Sequence, residues 1–197
     1  MAKKLRDLPI GTLVKDTNTT IFGEPIIWRI VAKNHAGYPT GSTTLIADQS
    51  IAFQHFDTTE PENSAAKFEG WAHYVASNIR QWLNSNGEAG QWYQPQHEYD
   101  SAPYIYKDQP GFLKGFSKFF NGALLPTILT TYTSKNSEFL TTQDKIFLPS
   151  LTEVGLLAGD YKVEGQHIEY FATDADRKAT ITMAALQNGN GSTSNAN

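Results

Sequence analysis

The sequence predicts an α+β domain: a twisted, mainly antiparallel sheet carrying two or three short helices and long ordered loops. Three stretches predict it. Glu24 to Lys33 is rich in β-branched residues around Trp28 and reads as a strand. Ser77-Asn78-Ile79-Arg80-Gln81-Trp82-Leu83-Asn84 places Ile79, Trp82 and Leu83 at i, i+3 and i+4, the spacing of a small amphipathic helix. Ser150-Leu151-Thr152-Glu153 has the spacing of a capping box, in which two residues three apart satisfy each other's free backbone N–H groups.

Taken in order, Ile10 to Lys15 reads as a first short strand, ended by the polar turn Asp16-Thr17-Asn18-Thr19. Glu24 to Lys33 is apolar on both faces, Ile26, Trp28 and Ile30 on one and Ile27 and Val31 on the other. That pattern predicts a central strand covered on both sides. The turn-forming run 34–42 then leads to a partner strand over Thr43 to Asp48. Phe53 to Tyr74 is polar and irregular, with Asp57 to Asn63 expected as a surface excursion. The helix opened by Ser77 is expected to reach about Asn86, with Gly87 as its C-terminal cap.

Further on, Gly111 to Phe120 predicts a second helix with Phe112, Phe116, Phe119 and Phe120 on one broad apolar face. Leu124 to Tyr132 reads as extended and Ile146-Phe147-Leu148 as a short buried strand. The capping box should open a short helix that stops near Gly159. Past Gln187 nothing can bury apolar area. One domain over 1–186 is therefore expected, with 187–197 as a flexible polar tail or linker. The residues expected to build the shared interior and its supports are Trp28, Ile79, Arg80, Trp82, Leu83, Asn84, Phe147, Ser150 and Glu153.

Composition narrows the function classes. At 197 residues and 40% hydrophobic content the chain can build a core without staples, and it has no Cys, so disulfides, thiolate nucleophiles and thiolate metal sites are all absent. A net charge of −4 with no basic stripe argues against nucleic acid as a partner. The apolar runs are too short to span a bilayer, and no apolar segment of signal-peptide length follows the basic start. If the protein acts outside a cell, it is expected to leave by another route, of which assembly into a phage particle followed by lysis is one.

No catalytic constellation stands out. His35, His55, His73, His97 and His167 are scattered, with no i, i+4 pair, so no metal site and no cofactor are expected. Glu60-Pro61-Glu62-Asn63 differs by one inserted residue from the Glu-Pro-Asn calcium and sugar motif of C-type lectins and reads as a chance match in a polar loop. Asp174-x-Asp176 lacks the Gly and distant Glu of a calcium loop. Tyr38, Trp71, Tyr74, Trp92, Tyr93, Tyr99, Tyr104 and Tyr106 are the aromatic stock for ligand stacking or packing, and two or three are expected to reach solvent. The ligand-binding residues themselves are not assigned.

Three segments, taken in order, carry a resemblance: Gly23-Glu24-Pro25-Ile26-Ile27-Trp28-Arg29-Ile30, the helix Ser77 to Asn84, and Lys145 to Gly155. Together they resemble an uncharacterised domain family of bacterial surface proteins and phage tail or virion proteins. The family is related in fold to C-type lectin-like domains and to the formylglycine-generating (sulfatase-modifying) group. The resemblance spans residues 8 to 185, and its most specific piece is the Arg-x-Trp-Leu-Asn core from Arg80 to Asn84. It implies a C-type lectin-like fold. Members continue into a Trp-Leu-Arg stretch and further strands, whereas this chain passes from Asp176 and Arg177 into a polar tail, so the resemblance implies either a truncated or minimal version or strands supplied by another chain. The sulfatase-modifying branch relies on active-site cysteines, which this chain lacks.

The expected function is therefore that of a non-enzymatic virion module (tail, fibre or baseplate) for host-surface recognition or structural attachment. The partners would be other virion proteins or a host-surface glycan or protein, with self-association as an option. Two rivals stand beside it. One is a bacterial surface or secreted binding module. The other is a glycan-acting enzyme using carboxylates such as Asp144 and Glu153, which would have to face each other about 5 to 10 Å apart.

Overall fold

The computed structural model describes residues 4–64, 67, 73–133, 137–157 and 159–188. Among these residues five strands form two small antiparallel sheets rather than one, joined by three short helices and long loops. The first sheet runs β1 (Leu13–Ile21), β2 (Glu24–Lys33) and β3 (Thr43–Ala47), with β2 in the middle. The second is a hairpin of β4 (Thr127–Thr133) and β5 (Glu138–Asp144) in unbroken register, Thr127 opposite Asp144 through Thr133 opposite Glu138.

β2 is covered on both faces. Ile26 and Trp28 belong to the larger apolar cluster with Ile79, Trp82, Leu83, Trp92, Tyr106, Phe112, Leu113 and Phe116. Val31 and Ala32 join a smaller cluster with Ile168 and Phe171. A register shift between Ile30 and Ala32 lets the successive residues Val31 and Ala32 serve the same cluster, because an irregularity breaks the strict alternation of a pleated strand.

β1 runs farther than the expected strand. The polar turn expected at Asp16 to Thr19 is instead an irregularity inside β1, where pairing skips from Lys15 to Thr20. Asp16 accepts hydrogen bonds from the backbone N–H of Asn18 and the hydroxyl of Thr19, satisfying the bulged backbone locally. The reversal comes later, at Phe22 and Gly23, both with positive φ.

α1 (Asn78–Leu83) is capped by Ser77, whose hydroxyl accepts from the Arg80 N–H, and it ends at Asn84 rather than reaching Asn86. Gly87 is not its cap. Gly87 lies four residues past Leu83 and donates its N–H to the Ser85 hydroxyl. The second expected helix is split. Phe112–Gly115 is a 3-10 turn, and α2 (Lys118–Ala123) starts afresh behind Ser117, whose hydroxyl accepts from the Phe120 N–H. The split rotates Phe119 out, leaving it 84% exposed, while Phe112 and Phe116 stay buried.

Residues 146–148 form no strand. Ile146 and Phe147 are half-buried and Leu148 is exposed, lying in an open loop after β5. The capping box is present, yet the segment it opens is one hydrogen-bonded turn over 151–155 rather than a helix. A third helix, α3 (Met183–Asn188), was not expected. It buries Ala184 and Ala185, and the chain before it pairs with Ser50 through a parallel bridge to Ile181. Gln187 and Asn188 close this helix, and the rest of the expected tail lies outside the described residues. No helix among the described residues is long and apolar enough to cross a membrane.

Candidate functional site

The Arg-x-Trp-Leu-Asn stretch ties α1 to the chain that follows β5. Arg80 contacts both carboxylate oxygens of Asp144, with Nε at 3.1 and 2.9 Å and a second nitrogen at 2.9 Å, and it also donates to the Val75 carbonyl. Asp144, almost fully buried, takes a further hydrogen bond from the Thr142 hydroxyl. Asn84 accepts the N–H groups of Lys145 and Ile146 on its carbonyl oxygen and donates to the carbonyls of Arg80 and Ile146. Between them Trp82 is 2% exposed, with its indole N–H on the Pro110 carbonyl and its ring against Tyr106 and Phe112. Ile79 and Leu83 are buried beside it, and Trp28, 6% exposed, stacks on Phe120.

Ser150 and Glu153 lie one loop away. Ser150 N–H donates to Glu153 Oε2 at 2.9 Å, and Glu153 N–H donates to the Ser150 hydroxyl at 3.1 Å. Glu153 is 4% exposed, and its other oxygen accepts from the Tyr38 hydroxyl. Burial, and then the negative charge of Glu153, push the Tyr38 hydroxyl above the ordinary phenol range, so it stays a donor. Gly165 makes this close approach possible. Its φ is +74°, and a Cβ there would sit 2.8 Å from Glu153 Oε1. Phe147 packs its ring edge-on against Tyr38.

These supports frame two hollows. An apolar one of about 440 Å³ lies between β2, β3, α1 and the 145–149 loop, with Trp28, Trp82, Phe112 and Phe147 in its lining. The other, about 620 Å³, is a mixed cleft. Its floor is β4 from Ile128 to Tyr132, and its walls carry Tyr38, Phe56, Tyr74, Leu148 to Leu151 and Glu153. Burial and the nearby Asp144 charge raise the Tyr74 hydroxyl above the phenol range, and it donates weakly to the Ile146 carbonyl.

Among the described residues no third strand pairs with the edge of β4 that faces this cleft. Tyr132 turns its N–H away from β5 and gives it to Glu164. By strand alternation the N–H and C=O of Ile128 and Thr130 point the same way.

A third grouping escaped the sequence reading. The segment expected as a surface excursion turns inward: Asp57, Thr58 and Glu60 are buried. The backbone N–H of Asn78 donates to Asp57, and the Thr58 N–H donates to the Asn78 side chain, which braids this loop onto the start of α1. His97 comes from a distant loop to within 3.3 Å of Glu60. One ligand-capable atom each from Asp57, Glu60 and His97 lies within 4.8 Å of the others. Spacing rules could not find this set, because the three residues come from two loops and follow no helical or strand period. Asp174 and Asp176, by contrast, are taken up locally by Arg177 and by the capping of Thr173.

The expected aromatics divide clearly. Tyr99 and Tyr104 reach solvent, and Trp92 and Tyr106 are buried and stacked on each other. Tyr38, Tyr74 and Tyr93 are half-buried, and Trp71 lies outside the described residues.

A family model described as a domain of unknown function, DUF6273, matches residues 41–194. The chain belongs to the DUF6273 family. No curated protein matches it, and no solved structure does. The DUF6273 match begins in the loop before β3, so it takes in α1, the second sheet and the Ser150–Glu153 turn but leaves out the strand bearing Trp28. The α+β architecture of this DUF6273 domain follows from its coordinates.

Proposed function

We propose that this chain is a non-enzymatic virion module that seats a host-surface saccharide in the 620 Å³ cleft. One observation carries the reading. The acidic groups at the cleft are committed to holding the fold, whereas apolar and aromatic surface on its rim is left for contact. Glu153 gives one oxygen to a backbone N–H and the other to Tyr38, and Glu164 accepts the Tyr132 N–H. Phe56, Ile128, Leu148 and Leu151 remain exposed. An acid–base pair needs a carboxyl free to exchange protons with substrate, and a sugar site needs ring faces beside a few fixed polar groups. The cleft matches the second description. The setting in a phage particle, and the kinship with lectin-like folds, rest on the three-segment resemblance.

The test is direct. The purified chain is passed over arrays of bacterial surface polysaccharides, as wild type and as Phe56→Ala. The account expects retention on a defined saccharide and about tenfold weaker binding by the variant, the size of one stacked ring at ~1 to 1.5 kcal/mol. Equal binding by both proteins, or release of reducing ends from the saccharide, contradicts it.

The outer edge of β4 favours a second reading, structural attachment, in which a neighbouring chain adds a strand along Ile128 to Thr130. Light scattering after size exclusion separates the two: a monomer at high concentration counts against self-completion of that edge.

A further inference from the structure

We propose that Asp57, Glu60 and His97 bind a borderline divalent metal ion of the zinc type, with one nitrogen and two oxygen donors. Glu60 is fully buried, and among the described residues its Oε1 accepts no hydrogen bond, yet it points at His97 Nε2 from 3.3 Å. The other ring nitrogen, Nδ1, lies 2.9 Å from the Glu98 carbonyl. A carbonyl only accepts, so Nδ1 carries the proton, and in the neutral ring Nε2 then presents a lone pair. A buried carboxylate oxygen and a ring nitrogen therefore face each other beside Asp57, and a cation held among the three would satisfy the buried charge of Glu60. The 3.3 Å between Glu60 and His97 matches one edge of a tetrahedron whose metal–ligand bonds are about 2.0 Å, and the Asp57 oxygen, within 4.8 Å of both, would close onto the ion as it binds.

Each donor is also held from behind, as outer partners hold ligands in metal sites. The Asn78 N–H fixes Asp57 at 3.1 Å, the Asn63 amide fixes the far oxygen of Glu60 at 2.9 Å, and the Glu98 carbonyl fixes the His97 ring. Asp100 stands nearby as a spectator, with one oxygen on the Asn78 side chain and the other on the Gln96 N–H. Imidazole as one of the donors selects zinc-like ions over calcium, which takes six or more oxygens. Binding would clamp the 57–63 loop to the 96–100 loop, on different residues from those of the proposed saccharide cleft.

The test uses the whole chain, freed of any affinity tag and treated with chelator, then titrated with Zn²⁺, Ca²⁺ or Mg²⁺ by calorimetry and thermal melting. One Zn²⁺ per chain and a raised melting temperature are expected, with no comparable response to Ca²⁺ or Mg²⁺. His97→Asn and Glu60→Gln should weaken Zn²⁺ binding by more than about 100-fold, and Asn63→Ala by about 10- to 100-fold, the loss typical of an outer partner. His55→Asn should leave binding unchanged. Should the Glu60 variant fold poorly, Co²⁺ on the wild-type protein still decides, through the visible bands of a tetrahedral site with nitrogen and oxygen donors. No Zn²⁺ binding, binding indifferent to His97, or an equal Ca²⁺ response overturns the proposal.

Discussion

Asn84 joins helix α1 to Lys145 and Ile146, 61 and 62 positions further along the chain. Its amide offers an acceptor for two N–H groups and donors for two carbonyls on one short side chain. Asn84→Ala strands those backbone groups in a half-buried seam, and a loss of about 2 kcal/mol or more is expected in urea unfolding. Asp144→Ala leaves the Arg80 guanidinium without its partner. Arg80 keeps some solvent contact, so the cost should fall near the lower end of the range for broken buried pairs, about 3 kcal/mol. Ser150→Ala removes one half of the capping box and should cost about 1 kcal/mol by the same measurement. The sequence made the kinds of residue at these positions visible, but not their partners. Arg80 and Asp144 lie 64 positions apart, and no local period connects them.

Elements were legible where the pattern was purely local, and misread where a distant contact intervened. The strand around Trp28 and the Ser77 cap follow from neighbouring residues alone. The break between Phe112–Gly115 and α2 does not, because it depends on β1. A Cβ on Gly115 would sit 2.0 Å from the Thr20 carbonyl, so this turn lies directly on the strand. Gly115→Ala should therefore destabilise by about 2 kcal/mol or more. Gly122→Ala, inside α2 with open space around it, should be neutral or stabilise by up to about 1 kcal/mol. Equal effects from the two substitutions would contradict the packing described.

Asp16 links the same two elements. The Ser117 hydroxyl that caps α2 also donates to its carboxylate, and this bond, with the Asn18 and Thr19 contacts, holds the Asp16 pKa below its ordinary 3.8. A carboxylate depressed on folding gives stability that is present above the unfolded pKa and lost as pH falls through the folded one. Asp16→Asn should thus reduce stability at neutral pH and shrink the gap between neutral and pH 3 melting temperatures. An unchanged gap would show that the Ser117 contact is not made in solution. α3 escaped notice for a related reason: the chain just before it is fixed by distant Ser50, which donates to the Thr180 carbonyl and accepts from the Thr182 N–H.

For the whole molecule, two small sheets share supports but present different surfaces. β2 lies between two apolar clusters, while among the described residues no third strand pairs with β4 beside the mixed cleft. The fold class was readable because strand, helix and cap signals agree with one another. The cleft was not, since its walls come from five separate stretches that only the tertiary fold assembles. The Asp57–Glu60–His97 set was hidden for the same reason. The most direct measurement is a backbone amide map of the ¹⁵N-labelled chain titrated with a purified surface polysaccharide retained on the arrays. The account predicts shifts confined to Ile128–Tyr132, the loop around Tyr38, and Leu148 to Glu153. Shifts centred instead on the exposed Tyr99 and Tyr104 face, or spread evenly over the chain, would contradict it.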